Sequence, residues 1–284
     1  MAQWLGEKGI VFCDGGMGSL LMKKGMTPGM RTDEMNQAHP EAVESIHRAY
    51  AEAGSGILYT NTFSLSGRLS VMTDEELDAA VADAVAIAKR AAGGKALTAL
   101  DVGPTGEFME PYGALTYETA YSRFSRLAAS GARAGADLIC AETMSAPDEL
   151  KAAVMAASDS TELDVLATMT FAETGLTYTG YSIEEFGALA NGLPVLAAGV
   201  NCSREPKEML PAVTRLARIL KKPLIVKLNA GLPDDRGRYS VGPEEYAEQL
   251  LPYRELGVRI VGGCCGTTPD YIRAVKQAME AENG

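Results

Sequence analysis

Eight short apolar runs, each followed by a helical pattern, constrain this chain more than any other feature. The runs are Ile10–Cys13, Gly56–Thr60, Ala96–Val102, Asp137–Ala141, Val165–Thr170, Val195–Val200, Pro223–Leu228 and Val258–Val261. Continuous runs rich in Val, Ile, Leu and Ala suit parallel strands buried on both faces. Helical patterns fall at Glu41–Ala53, Asp74–Ala92, Tyr117–Ala134, Pro147–Ala157, Ile183–Ala190, Pro206–Leu220, Pro243–Leu256 and Pro269–Ala281. Pro147, Pro206, Pro243 and Pro269 mark helix starts, with Ser145, Ser203 and Thr268 as candidate caps. Gly54, Gly93, Gly135 and Gly257 mark ends. Such alternation over 284 residues predicts an α/β fold, a single (β/α)8 TIM barrel spanning 1–284.

A doubly wound open sheet is the competing arrangement. The barrel is preferred because polar signatures follow the strands so evenly. Asp14-Gly15-Gly16 follows the first, Asn61-Thr62 the second, Gly103-Pro104-Thr105-Gly106 the third and Glu142-Thr143 the fourth. Asn201-Cys202, Asn229-Ala230-Gly231 and Cys264-Cys265 follow the sixth, seventh and eighth. Barrel active sites are built from C-terminal strand ends and the loops after them. The loops around Thr105–Thr116 and Gly231–Gly242 are the longest of these, and their Gly and Pro content suits walls of a mouth.

Net charge is −11, spread along the chain, so nothing suggests a nucleic-acid partner. No apolar run reaches the roughly 18 residues of a membrane span. The first residues, from Met1 to Glu7, lack the basic and apolar regions of a signal peptide. Five cysteines, an odd number without a dense framework, fit a reducing cytoplasm, where clustered cysteines mean metal or catalysis more often than disulfides.

Cys13 and Cys140 lie inside apolar runs and read as small buried hydrophobes. Cys202, Cys264 and Cys265 differ, because they close two strands. Successive strand residues face opposite sides, so Cys264 and Cys265 can reach one ion only where the chain bends. Gly262, Gly263 and Gly266 supply that freedom. Three sulfurs at about 2.3 Å would hold one Zn²⁺ and leave its fourth position open, as in catalytic rather than structural sites. Redox chemistry, or a disulfide between Cys264 and Cys265, is the competing reading. Neither His39 nor His47 sits where a fourth ligand is expected. A thiol that coordinates zinc loses its proton. The natural reaction is therefore attack of an incoming thiol on an activated carbon.

An amino-acid thiol needs anchors for its two charged groups. Asp14 and Glu142 are candidates for the ammonium; general acid/base work or helix capping is an equal alternative. Backbone N–H groups around Gly15, Gly16 and Gly18 are candidates for the carboxylate. The same segment lacks the spacing and the lysine of a phosphate-binding P-loop. Asn201 and Asn229 either orient the zinc ligands and line the pocket or bond their own turns.

Several segments resemble the homocysteine S-methyltransferase family, in order along nearly the whole chain. They are Asp14-Gly15-Gly16-Met17-Gly18, Thr60-Asn61-Thr62-Phe63, Val102-Gly103-Pro104-Thr105-Gly106, Glu142-Thr143 and Gly199-Val200-Asn201-Cys202. Asn229-Ala230-Gly231-Leu232-Pro233 and Gly262-Gly263-Cys264-Cys265-Gly266-Thr267-Thr268-Pro269 complete the set. Within the family, the likeness points to the homocysteine-binding domain of cobalamin-dependent methionine synthase. It implies one zinc on Cys202, Cys264 and Cys265, homocysteine thiolate as fourth ligand, Asp14 and Glu142 near its amino group, and methionine as product. Leu228 stands where the family pattern has proline, which puts the shape of that wall in question. Neither histidine lies in an Asp-x-His-x-x-Gly corrinoid motif. The expected methyl donor is therefore methyl-cobalamin carried by a separate corrinoid protein. The alternatives are a small onium donor, S-methylmethionine or a betaine, and a non-catalytic zinc- or aminothiol-binding subunit. Trp4, Tyr112, Tyr117, Tyr178 and Tyr181 are the aromatics available to an onium cage.

Overall fold

The computed structural model describes Leu5, residues 9–27 and residues 29–281. Its strands are β1 (Val11–Phe12), β2 (Ile57–Tyr59), β3 (Leu97–Val102), β4 (Leu138–Met144), β5 (Asp164–Met169), β6 (Ala197–Cys202), β7 (Leu224–Leu228) and β8 (Val258–Gly263). All neighbours pair in parallel, in the order β1-β8-β7-β6-β5-β4-β3-β2. The first and second strands meet through a parallel bridge between Cys13 and Ile57, which brings the sheet round into a barrel. The predicted (β/α)8 barrel is the observed fold.

Helices α1 (Gly18–Lys23), α2 (Met35–Ala38), α3 (Pro40–Ala53), α4 (Asp74–Ala92), α5 (Tyr117–Ala134) and α6 (Pro147–Ser160) lie in the first half. Helices α7 (Ile183–Gly192), α8 (Pro206–Ile219), α9 (Pro243–Leu250) and α10 (Pro269–Ala281) complete the ring. Their ends have local causes. Thr73 and Glu76 form a reciprocal capping box on α4, and Ser182 and Glu185 form another on α7. Gly54, Gly93 and Gly135 adopt left-handed C-caps, where a Cβ would clash with the backbone.

Some expectations need correction. Ser145 and Ser203 are not caps: α6 and α8 start from Ala146 and Glu205 without a side-chain cap. The Ser203 hydroxyl instead accepts from the Phe171 N–H and donates to the Asn201 carbonyl. The expected helix over Pro243–Leu256 ends at Leu250 and tightens into a three-ten turn over Leu251–Arg254, because Pro252 has no N–H to continue the ladder. The short helices α1 and α2 and the three-ten turn Phe63–Arg68 fill segments to which the sequence pattern assigns no element. Glu142, Thr143, Asn201 and Cys202 lie inside the C-terminal ends of strands, with Met144 still to follow in β4, rather than in the loops after them.

Two apolar clusters hold the molecule together. The larger lies between barrel and helices; within it α5 buries Phe124 and Leu127, at roughly 1.5–3 kcal/mol per side chain. The smaller fills the barrel axis and contains Cys13, Ile57, Tyr59, Ala99, Leu138, Cys140, Leu166, Ala197, Ile225 and Ile260. Strand period two carries the inward column upward from these residues. Ala99 leads to Asp101, Cys140 to Glu142, Leu166 to Thr168 and Ile225 to Lys227. The barrel is therefore apolar at its floor and charged at its C-terminal end.

Candidate functional site

At that end lies a cavity of about 230 Å³. Asp14, Gly15, Gly16, Tyr59, Asp101, Glu142, Thr143, Lys227 and all three strand-end cysteines line it. Its metal-capable corner is Cys202, Cys264 and Cys265, whose sulfurs lie within 4.8 Å of one another. Cys202 ends β6 with φ +55, and Ser203 follows at φ +63. A non-glycine residue in this region stores strain, which here turns the Cys202 thiol off the strand line. Beyond Gly263 the chain leaves β8 and turns, as the two adjacent cysteines require. A Cβ on Gly263 would lie 2.2 Å from Thr267 Oγ1, so only glycine lets the turn fold back so closely. Asn229 fastens the corner: its Oδ1 accepts from the Cys265 N–H at 2.9 Å, and its Nδ2 donates to the Ser203 carbonyl at 2.8 Å. The same amide lies 3.6 Å from Cys202 Sγ.

Thiol donation from Cys264 and Cys265 holds the Cys202 thiol well below its usual range. The same pairing pushes Cys264 and Cys265 up. The protein's own groups therefore support one thiolate here and oppose a second and third. Three soft donors converging with that appetite for positive charge fit a thiophilic divalent cation. Cys13 and Cys140 are fully buried in the axial cluster, as expected of packing residues. His39 pairs with Glu41 at the surface, while His47 is buried without a hydrogen bond and its pKa falls to about 4. Neither histidine lines the cavity.

Asp14 and Glu142 do share the cavity, but not as an empty pair of carboxylates. Lys227 Nζ lies 3.1 Å from Glu142 Oε2, 3.9 Å from Asp14 Oδ1 and 3.1 Å from the Tyr59 ring centre. Burial disfavours this ammonium, yet Glu142 and Asp14 outweigh it and hold its pKa well above the ordinary lysine value. Burial pushes the Asp14 carboxyl up to about 7, opposed by Lys227 and by the Tyr59 N–H that donates to Oδ2. Asp101 is a third buried carboxylate at the same level. Both Lys227 and Asp101 escaped the sequence reading because each sits inside an apolar run. Their signal was parity: Lys227 is two residues past inward Ile225, and Asp101 two past inward Ala99.

Asn201 is fully buried and points along the barrel wall rather than lining the cavity. Its Oδ1 accepts from the Thr143 N–H and the Thr168 hydroxyl, and its Nδ2 donates to Thr143 Oγ1. Thr143 has φ +59 beside a register shift in β4, so Asn201 pins the irregular backbone that presents Glu142. Gly15 and Gly16 pack flush on the Cys264–Thr267 turn, and the Gly16 N–H donates to Thr267 Oγ1 at 3.2 Å. Leu228 keeps its wall regular, paired with Cys202 on one side and Gly263 on the other.

None of Tyr112, Tyr117, Tyr178 and Tyr181, named for an onium cage, lines the cysteine cavity. Tyr112 and Tyr181 line a separate cavity of about 210 Å³, and Tyr117 stacks on Tyr121. Tyr178 is exposed beside a further cavity of about 610 Å³ that shares Thr143 and Cys202 with the first. Trp4 lies outside the described residues, as does the segment read for a signal peptide apart from Leu5. Among the described residues, no helix is long and apolar enough to cross a membrane.

The family model described as homocysteine S-methyltransferase matches residues 11–279. This chain belongs to the homocysteine S-methyltransferase family. It is 32% identical to the methionine synthases of Mycobacterium leprae and Mycobacterium tuberculosis over 94% of its length. It spans about a quarter of theirs, 24% in each case. The fold is similar to that of the homocysteine methyltransferase MmuM from Escherichia coli in its metallated form. That likeness has a TM-score of 0.81 at 23% identity and covers 96% of this chain and 97% of the other. A dihydrodipicolinate synthase from Agrobacterium tumefaciens shares the barrel more loosely, with a TM-score of 0.56 at 14% identity.

Proposed function

We propose that this barrel is a zinc-dependent S-methyltransferase that moves a methyl group onto the thiol of homocysteine, giving methionine. The observation that carries the reading is the shared cavity, in which three converging thiols face buried carboxylates. Zinc would be held by Cys202, Cys264 and Cys265. What it supplies when bound is acidity, since a coordinating thiol loses its proton although a free one keeps it up to a pKa of about 8.5. No general base is then needed. The chain's own residues bind and orient. Asp14 and Glu142 give the ammonium a negative wall, and Lys227 keeps that wall in place. Gly15 and the start of α1 bring backbone N–H groups to the same cavity for the carboxylate. Asn229 sets the positions of Cys202 and Cys265, and Asn201 sets Thr143 and thereby Glu142.

For the donor, a small sulfonium or quaternary ammonium compound such as S-methylmethionine or a betaine is the favoured reading. The cavity adjoining Cys202 supports it, because Phe171 and Tyr178 offer aromatic faces to a small cation, although Glu173 there is already paired with Arg204. A methyl-corrinoid protein is the second reading, favoured by exposed Phe108, Tyr112, Tyr178 and Leu232. The tests are zinc content and zinc K-edge absorption with and without homocysteine, then turnover with purified small donors. One added sulfur ligand on homocysteine binding is the expected result. Zinc whose ligands ignore homocysteine would overturn the reading. Turnover only after a methyl-corrinoid protein is added would move the donor to the second reading.

A further inference from the structure

Four ionisable side chains meet at the polar end of the barrel axis, three acids to one base. Asp14, Asp101 and Glu142 face a single ammonium, that of Lys227. That ammonium is already committed, to Glu142 at 3.1 Å, to Asp14 at 3.9 Å and to the face of Tyr59. Asp101 is the group left over. Its backbone is tied down, with its N–H donating to Thr60 Oγ1 and its carbonyl accepting from the Thr62 hydroxyl. Its side chain is not: the residue is 7% exposed, lines the cavity, and has a buried Oδ1 with no hydrogen-bond partner. A buried carboxylate oxygen without a partner costs stability unless a ligand or a proton meets it.

Resting on the reading of the cavity as an amino-acid thiol site, we infer that Asp101 is the specificity residue that takes the substrate's α-ammonium. Asp14 and Glu142, held by Lys227, form the wall beside it. The ligand class is then a thiol with a free, protonated amine, whose ammonium takes the place of the proton on Asp101 as that proton is released. Burial first, and then Glu142, raise the Asp101 pKa well above the carboxylate range, with Lys227 opposing. In the free protein a proton therefore occupies the place that the ammonium would take.

The test compares two thiols on the full, zinc-loaded chain by titration calorimetry. One is homocysteine; the other is 4-mercaptobutanoate, with the same thiol and carboxylate but no amine. Wild type should favour homocysteine by at least about 10-fold, the scale of a hydrogen bond to a charged group. Asp101→Asn should lower homocysteine affinity by about 10- to 100-fold and leave 4-mercaptobutanoate and zinc content unchanged. Asp101→Ser, checked for an unaltered melting temperature, should do the same and stands in if the amide variant fails to fold. Equal affinities in wild type, or an equal loss for both thiols in the variants, would overturn the assignment. Zinc-loaded wild type that binds neither thiol would instead overturn the reading of the site.

Discussion

The cysteine corner and the carboxylate cluster line one cavity, and they handle like charge in different ways. The cluster brings its own counter-ion: Lys227 is buried against Glu142, Asp14 and the Tyr59 ring, so most of its charge is answered by the chain itself. The corner's donors are thiols and amides, from Cys264, Cys265, Asn229 and the Ser203 backbone, and these support a single thiolate. A buried ion pair that loses one partner leaves the other charge uncompensated, so the cluster is bound up with folding. The corner sits nearer the surface on strand ends, with Cys265 exposed, and can change without disturbing the core. One region carries a counter-ion of its own, Lys227, and leaves only Asp101 of its carboxylates without a polar partner; the other has no cation from the chain among the groups that support its thiolate.

That contrast can be broken most directly at Cys265. Cys265→Ala should weaken zinc binding by more than about 100-fold, beyond the range for residues that merely orient ligands, and abolish methyl transfer. Its circular dichroism and melting temperature without metal should match wild type. Normal zinc content in that variant would remove the corner from the metal site. Lys227→Met should act in the opposite sense, costing about 3–5 kcal/mol of folding stability in urea titrations at pH 7 while leaving the cysteines intact. A loss below about 1 kcal/mol would mean that Lys227 is not the counter-ion of the cluster.

Asn229→Ala sharpens the comparison at the corner's edge. Removing the amide that sets Cys202 and Cys265 should weaken zinc binding by about 10- to 100-fold in competition with a chelator. The smallest effect concerns pH. The Asp14 pKa rises on folding to about 7, so the native state holds a proton that the unfolded chain gives up at lower pH. The stabilising contribution is full below the ordinary aspartate pKa and is lost as pH rises toward 7. Asp14→Asn should flatten that fall, by at least about 1 kcal/mol between pH 4 and 7.5 in metal-free protein. Parallel stability curves for the two proteins would count against a buried, proton-holding Asp14.

The barrel was legible because its strands are apolar on both faces and its helices carry their own start and stop residues. Asp14, Glu142 and the cysteines were legible because polar residues at strand ends beside glycine or threonine stand out from apolar runs. Lys227 and Asp101 were not, because a charge surrounded by Leu, Ile and Val disappears into the hydropathy of its strand. Only position along the inward column distinguishes them, and that requires knowing which parity faces the axis. Asn201 was recognised as a residue of interest, but its bonds to Thr143 and Thr168 depend on neighbouring strands whose register no local pattern discloses.

The pairing of Val11 with Ile260, and the Gly15–Gly16 loop lying flush on the Cys264–Thr267 turn, also give the site a place in time. Asp14 and Cys265 lie some 250 residues apart along the chain. Contacts so distant along the chain form slowly, because loop closure must be met before they return any energy. Until the eighth strand arrives, the first has only one neighbour, and a nascent barrel exposes the lone thiol of Cys202 with no companions. On the proposed zinc site, metal capture must therefore wait for the eighth strand and can serve as a reporter that the barrel has closed.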